Sequence, residues 1–150
     1  MGTKANKAKE LFKEGYNCSQ SVLGAFCDEL GLDLENAVKM ASSFGGGMGR
    51  LREVCGAVSG LFLAVGLKYG YTSPADSERK SKQYELIQQL AEEFKEKNGS
   101  IICRELLNVG EKKESHIPEK RTESYYKKRP CVELVGDAAE LFEKLLKVSE

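Results

Sequence analysis

The sequence predicts an all-α fold, a single-domain bundle of about five to seven helices. Three observations carry that expectation. Apolar residues recur at intervals of three and four along almost the whole chain, the spacing that lines one face of a helix. Alternating β-branched runs of the kind that make strands are scarce, and there are only three prolines. A chain of 150 residues is also long enough to close one hydrophobic core without staples, so residues 1–150 are taken as one domain.

A first helix is expected from about Lys4 to Glu14, with Ala5, Ala8, Leu11 and Phe12 on one face and Gly15 ending it. A second begins at Asn17 and runs to Leu30. Asp33 caps a third, Leu34 to about Phe44, which Gly45, Gly46, Gly47 and Gly49 terminate. The fourth carries Cys55 and reaches towards Tyr69. Ser73, Pro74 and Asp76 give a capping start to a long charged helix that ends at Asn98 and Gly99. Ser100 caps a short helix through "IICRELLNV", residues 110–129 form a long polar loop, and Pro130 opens a last helix from Cys131 to about Lys147.

The 23 basic and 23 acidic residues cancel, which leaves no overall field to draw in nucleic acid or an anionic membrane. The most apolar stretch, Val54 to Leu67, is short of the roughly 20 residues a spanning helix needs. The N-terminal stretch lacks the apolar region of an export signal. The expected compartment is therefore the reducing cytoplasm, where cysteines are reactive or metal-bound more often than permanently cross-linked.

Four of the five cysteines fall at a predicted helix start: Cys18 after Asn17, Cys55 after the glycine cluster, Cys103 after Ser100 and Cys131 after Pro130. Unpaired backbone N–H groups and the positive end of the helix dipole favour a thiolate, the species that attacks disulfides and binds metals. Cys27 differs. Nine steps of about 100° on one continuous helix place it opposite Cys18, beside Leu23 and Leu30, where it acts as a small buried hydrophobe. The separations of 37, 48 and 28 residues contain no C-x-x-C pair, so any shared site has to be assembled by the tertiary fold.

The segments "GYNCSQSV", "GGGMG" with "CGAVSG", "CREL" and "CVELV" resemble those of the C_GCAxxG_C_C family of redox-active proteins. The resemblance covers nearly the whole chain and carries its four cysteines onto Cys18, Cys55, Cys103 and Cys131, leaving Cys27 outside. It implies a redox or metal-linked role, with some relatives encoded beside transporter genes. A related domain in split-Soret cytochromes c brings an iron–sulfur centre into consideration. With no C-x-x-C-H and one histidine, His116, haem attachment has no support here.

The glycine cluster does not read as a nucleotide cradle. After Gly47 and Gly49 the next position of a dinucleotide motif is Arg52, and no Gly-Lys-Ser or Gly-Lys-Thr follows. The glycines instead let the backbone approach the sulfur site, and Arg50 or Arg52 is expected to favour a thiolate at Cys55. Gly56, Gly60 and Ala64 form a smooth strip for a neighbouring helix. Tyr125 and Tyr126 with Lys127, Lys128 and Arg129 make a basic aromatic patch, diluted by Glu111, Glu114, Glu119 and Glu123 and read as mobile surface.

The leading functional reading is thiol–disulfide chemistry at a site assembled from Cys18, Cys55, Cys103 and Cys131, with Cys55 as nucleophile and Cys18 as resolving partner. Its counterpart is a redox partner protein or a small thiol. The alternative is a four-thiolate iron–sulfur or zinc site. A third reading is a non-catalytic helical interaction module, homodimeric in one form, whose cysteines only pack.

Overall fold

The computed structural model describes residues 2–110 and 112–149; Glu111, in the expected polar loop, lies outside them. The fold is all-α, and its only bridge between extended segments among the described residues joins Val54 to Ile102. Helix α1 (Thr3–Lys13) buries Ala5, Ala8, Leu11 and Phe12, the face that the periodicity marks, and lies along the C-terminal helix.

Helix α2 (Cys18–Gly24) opens with a capping box in which Asn17 Oδ1 accepts from the Gln20 N–H at 2.9 Å and Gln20 Oε1 accepts from the Asn17 N–H at 3.0 Å. The expected continuation to Leu30 breaks at Ala25 and Phe26, and the chain restarts as α3 (Cys27–Leu30). The break turns Phe26 wholly into the core, edge-on to Phe142 with ring centroids 4.7 Å apart. Packing of that pair prevails over local helix continuity.

Helix α4 (Leu34–Ala41) is capped by Asp33 as expected and ends in a 3-10 turn, Ser42–Phe44. The central helix α5 (Gly56–Tyr69) is apolar on nearly every side and is accordingly surrounded. Helix α6 (Ser77–Asn98) starts later than the sequence suggests. Ser73 closes a turn of its own by accepting from the Ala75 N–H, and Asp76 is the cap, accepting from Arg79 at 3.0 Å.

Residues 53–55 run antiparallel to 101–103, with the Cys55 N–H on the Ile101 carbonyl at 2.8 Å and the Cys103 N–H on the Glu53 carbonyl at 2.6 Å. This short pairing sets α7 (Cys103–Leu106) beside the start of α5. The stretch 110–129 is not without structure: Thr122 caps α8 (Glu123–Lys128), accepting from the Tyr125 N–H at 3.2 Å. Helix α9 (Cys131–Val148) follows Pro130 and completes the core against α1, α2 and α5. No described helix is long and apolar enough to cross a membrane.

Candidate functional site

Each of the four cysteines occupies the start of a helix. Cys18, Cys103 and Cys131 are the first residues of α2, α7 and α9, and Cys55 is the residue before α5. The fold points these four starts at one place. Cys18, Cys55, Cys103 and Cys131 together line a cavity of about 60 Å³. Cys27 is not part of it; the charges around its sulfur are those of Lys7, Asp28, Asp33 and Glu29.

The predicted glycine strip does what close helix approach requires. A Cβ on Gly60 would stand 2.7 Å from the Ser19 carbonyl, and one on Gly56 would stand 2.9 Å from the Phe44 carbonyl and 3.0 Å from Cys18 Cβ. The two glycines therefore hold α2 against α5, and with them Cys18 against Cys55. Gly47 answers two demands at once. Its φ of +66° suits glycine, and a Cβ there would meet Cys103 Cβ at 2.6 Å and Arg52 Cα at 2.8 Å. Gly45 presses on the Asn17 side chain, a hypothetical Cβ falling 2.5 Å from it, and Gly46 lines the cavity directly; exposed Gly49 stays at the rim.

Of the two arginines of the loop, Arg52 reaches a different cysteine from the one expected and Arg50 bonds only Glu114. Arg50 and Arg52 both sit in the left-handed region, at φ 70° and 61°, a conformation that costs about 1 to 3 kcal/mol per residue. It aims both guanidiniums at Glu114, with Arg52 Nε and Nη2 forked onto its two oxygens at 2.9 and 2.8 Å and Arg50 Nη2 at 2.7 Å. The remaining Arg52 nitrogen, Nη1, donates to Cys103 Sγ at 3.6 Å. Together these two arginines hold the Glu114 carboxyl down at about 2.

The thiols divide by environment. Cys55 accepts from the backbone N–H groups of Ala57 and Val58, as a residue at a helix start should, yet burial prevails and its thiol is pushed up to about 12. Its 4% exposure removes the solvation on which the expected thiolate depended. Cys103 is also raised by burial, with Arg52 opposing. Cys18 and Cys131 line the same cavity, and each is the chief influence on the other: the thiol of Cys18 is held well above its ordinary value and that of Cys131 below it. After Cys18, the positive charges of Arg129, Arg121 and Arg52 lower the Cys131 value.

Arg121 and Arg129 come from the stretch expected as a long polar loop. Arg121 donates to the carbonyls of Phe12 and Tyr16, both at 2.9 Å, and lies over the Phe12 ring at 4.1 Å. Arg129 pairs with Glu119 at 2.7 Å and lies over the Tyr125 ring at 5.4 Å. Tyr125 closes the cavity beside both arginines, and loss of solvent pushes its hydroxyl up to about 12. The segment is thus pinned across the cysteines. The only sequence signal for this is two arginines and two tyrosines placed within ten residues of Cys131, a pattern that solvation explains equally well.

Four thiols are a suitable donor set for zinc or an iron–sulfur cluster. Among the described residues, however, no three His, Cys, Asp or Glu side chains are gathered as the ligands of a metal ion. In this arrangement the cysteines face a common cavity without forming a ligand cage.

The sequence model of the family described as "Putative redox-active protein (C_GCAxxG_C_C)" matches residues 16–145, a span that includes all four cavity cysteines. An uncharacterized protein of Archaeoglobus fulgidus is 30% identical over 151 residues, covering 91% of each chain. No solved structure matches the chain at a significant level.

Proposed function

The chain belongs to the C_GCAxxG_C_C family, and from that premise we propose that it carries out thiol–disulfide exchange, with Cys131 as nucleophile and Cys18 as its resolving partner. The observation that carries this reading is that Cys18 and Cys131 line the same cavity and displace each other in opposite directions in acidity. A nucleophilic cysteine needs to be ionised near neutral pH, and a resolving one has to stay protonated until its turn comes. Cys55 and Cys103, both raised by burial, act as the dry wall that keeps competing water from the pair.

The sequence-based choice of Cys55 as nucleophile gives way to Cys131 in this reading. A helix start alone is worth less than the desolvation of a thiolate, while Cys131 has Cys18 and three arginines to offset that cost.

The test is oxidation of the anaerobically reduced chain by one equivalent of a small disulfide, followed by peptide mapping. The reading expects a loss of about 2 Da and a cross-link between Cys18 and Cys131. Five free thiols after oxidation would leave a packing module. Bound iron or zinc lost with a change in fold would replace thiol exchange with a metal role.

A further inference from the structure

The cysteine cavity adjoins a larger hollow of about 250 Å³ on its outer side. Asn17, Gly46, Arg52, Arg121, Tyr125 and Arg129 line both, so these residues form the passage between them. The outer hollow adds Arg50, His116 and Glu119 to its walls. Its charges do not balance. Glu114 takes both Arg50 and Arg52, Glu119 takes Arg129, and Arg121 makes no ion pair among the described residues, having only carbonyls and the Tyr126 hydroxyl as partners.

Four guanidiniums against two carboxylates leave an excess of two positive charges in a recess whose inner walls include Phe12, Leu106 and Leu107. Such a recess concentrates field and attracts anions. A thiolate at Cys131 answers one of the two charges. The second has no counterpart among these residues, although the chain as a whole is neutral. Arg50 sharpens the point, since it reaches outwards into the larger hollow and does not line the cysteine cavity.

We infer that the outer hollow holds the anionic end of the substrate, and that this substrate is a small carboxylate-bearing disulfide whose sulfurs reach Cys131 through the passage at Arg52, Arg121 and Tyr125. The inference rests on the thiol–disulfide reading above and adds the class of substrate to it. The Cys131 thiolate attacks one sulfur of RS–SR, forming a mixed disulfide and expelling RS⁻ towards the arginines. Cys18 then gives up its proton and attacks the Cys131 sulfur, closing the Cys18–Cys131 disulfide and expelling the second RS⁻. Two electrons pass from the cysteine pair to the substrate, and the proton from Cys18 leaves on one of the two RS groups, which departs as RSH.

The test uses three disulfides that differ in charge: dithiodiglycolate, hydroxyethyl disulfide and cystamine. Rates of oxidation of the reduced full-length chain are measured with each at low salt and at 1 M salt. A preference for dithiodiglycolate over hydroxyethyl disulfide of about tenfold or more at low salt is expected, shrinking towards unity at 1 M, with cystamine slowest. In Arg121→Gln the ratio of anionic to neutral rate falls severalfold and Arg121→Lys restores part of it; the ratio cancels any general loss of Cys131 reactivity. If Arg121→Gln does not fold, Arg50→Gln, nearer the rim, lowers the same ratio. Equal rates for all three disulfides overturn the anionic substrate and leave thiol exchange standing. Failure of every disulfide to oxidise the chain overturns thiol exchange and the substrate class with it.

Discussion

Cys18 and Cys131 line one cavity from the starts of α2 and α9, and their thiols are displaced in opposite directions, Cys18 upwards and Cys131 downwards, each chiefly by the other. Cys18 therefore keeps its proton to higher pH than Cys131 does. The pairing joins residues from the first and last thirds of the chain.

Cys131 should be the first thiol to react. Alkylation with iodoacetamide, resolved by residue, should modify it fastest below the ordinary thiol value of about 8.5. Cys18→Ala removes the largest influence that lowers Cys131 and should move its midpoint upwards. A Cys131 midpoint indifferent to the loss of Cys18 would mean that the arginines alone set it.

Cys55 should show its environment in stability instead. Its folded value of about 12 lies above that of an unfolded thiol, so the folded chain prefers the protonated form. The associated stability is fully present below about pH 8.5 and is lost as pH rises towards 12, by up to about 1.4 kcal/mol per unit. Cys55→Ala should flatten the alkaline arm of a plot of Tm against pH. A mutant curve parallel to the wild type between about pH 9 and 11 would contradict the burial argument.

Much of this site is legible in the sequence, and what is not has identifiable causes. Cys18, Cys55 and Cys131 follow a cap, a glycine cluster and a proline, so their helix starts are local signals, and Gly56 and Gly60 announce the close approach that brings Cys18 to Cys55; Ser100, expected to cap the helix of Cys103, instead accepts from the Ile102 N–H, and Ile102 stands at the cap position without a side-chain bond. Which thiol ionises is not local. It depends on burial and on Arg52, Arg121 and Arg129, none of which shares a helix with the sulfurs they influence. The stretch 110–129 reads as loop because charged residues are normally solvated. The Phe12 and Tyr16 carbonyls, more than 100 positions from Arg121, and Arg50 and Arg52, more than 60 from Glu114, reverse that. The bridge of Val54 to Ile102 is too short to leave any periodicity.

Cys27 should prove dispensable to the chemistry. It is buried, at 9% exposure, and no cavity cysteine counts it among its influences. Cys27→Ala is expected to cost about 1 kcal/mol of stability through lost packing and to leave the rate of disulfide oxidation unchanged. A substantial fall in that rate with the fold intact would place Cys27 in the redox chemistry after all.

Glu114 ties the segment before α8 to the glycine loop through Arg50 and Arg52. Its carboxyl value is lowered to about 2, below an unfolded value of about 4.3, so its contribution is present above the unfolded value and lost as pH falls between the two. The side chain is 23% exposed, and solvent screening reduces the expected cost of Glu114→Gln at neutral pH to about 1 kcal/mol. The variant should also be cut faster by trypsin within residues 112–130. Unchanged proteolysis would show that Arg121 and Arg129 pin the segment without help from Glu114.

Two glycines on α5 should respond to alanine in opposite ways. Gly60 faces α2 with no room for a side chain, and its Cβ would fall 2.7 Å from the Ser19 carbonyl, a backbone atom that cannot swing aside. Gly60→Ala should therefore cost about 1 to 3 kcal/mol by overpacking. It should also push Cys18 away from Cys55 and slow formation of the Cys18–Cys131 disulfide. Gly66, nearly two turns further along α5, would have nothing within 4 Å of a Cβ added there. Gly66→Ala should stabilise the chain by about 0.5 to 1 kcal/mol, because alanine loses less backbone freedom in a helix. Urea melts of both variants beside the wild type measure the contrast directly. Equal effects at the two positions would remove the case that α2 and α5 are held together by the glycines that follow Cys55.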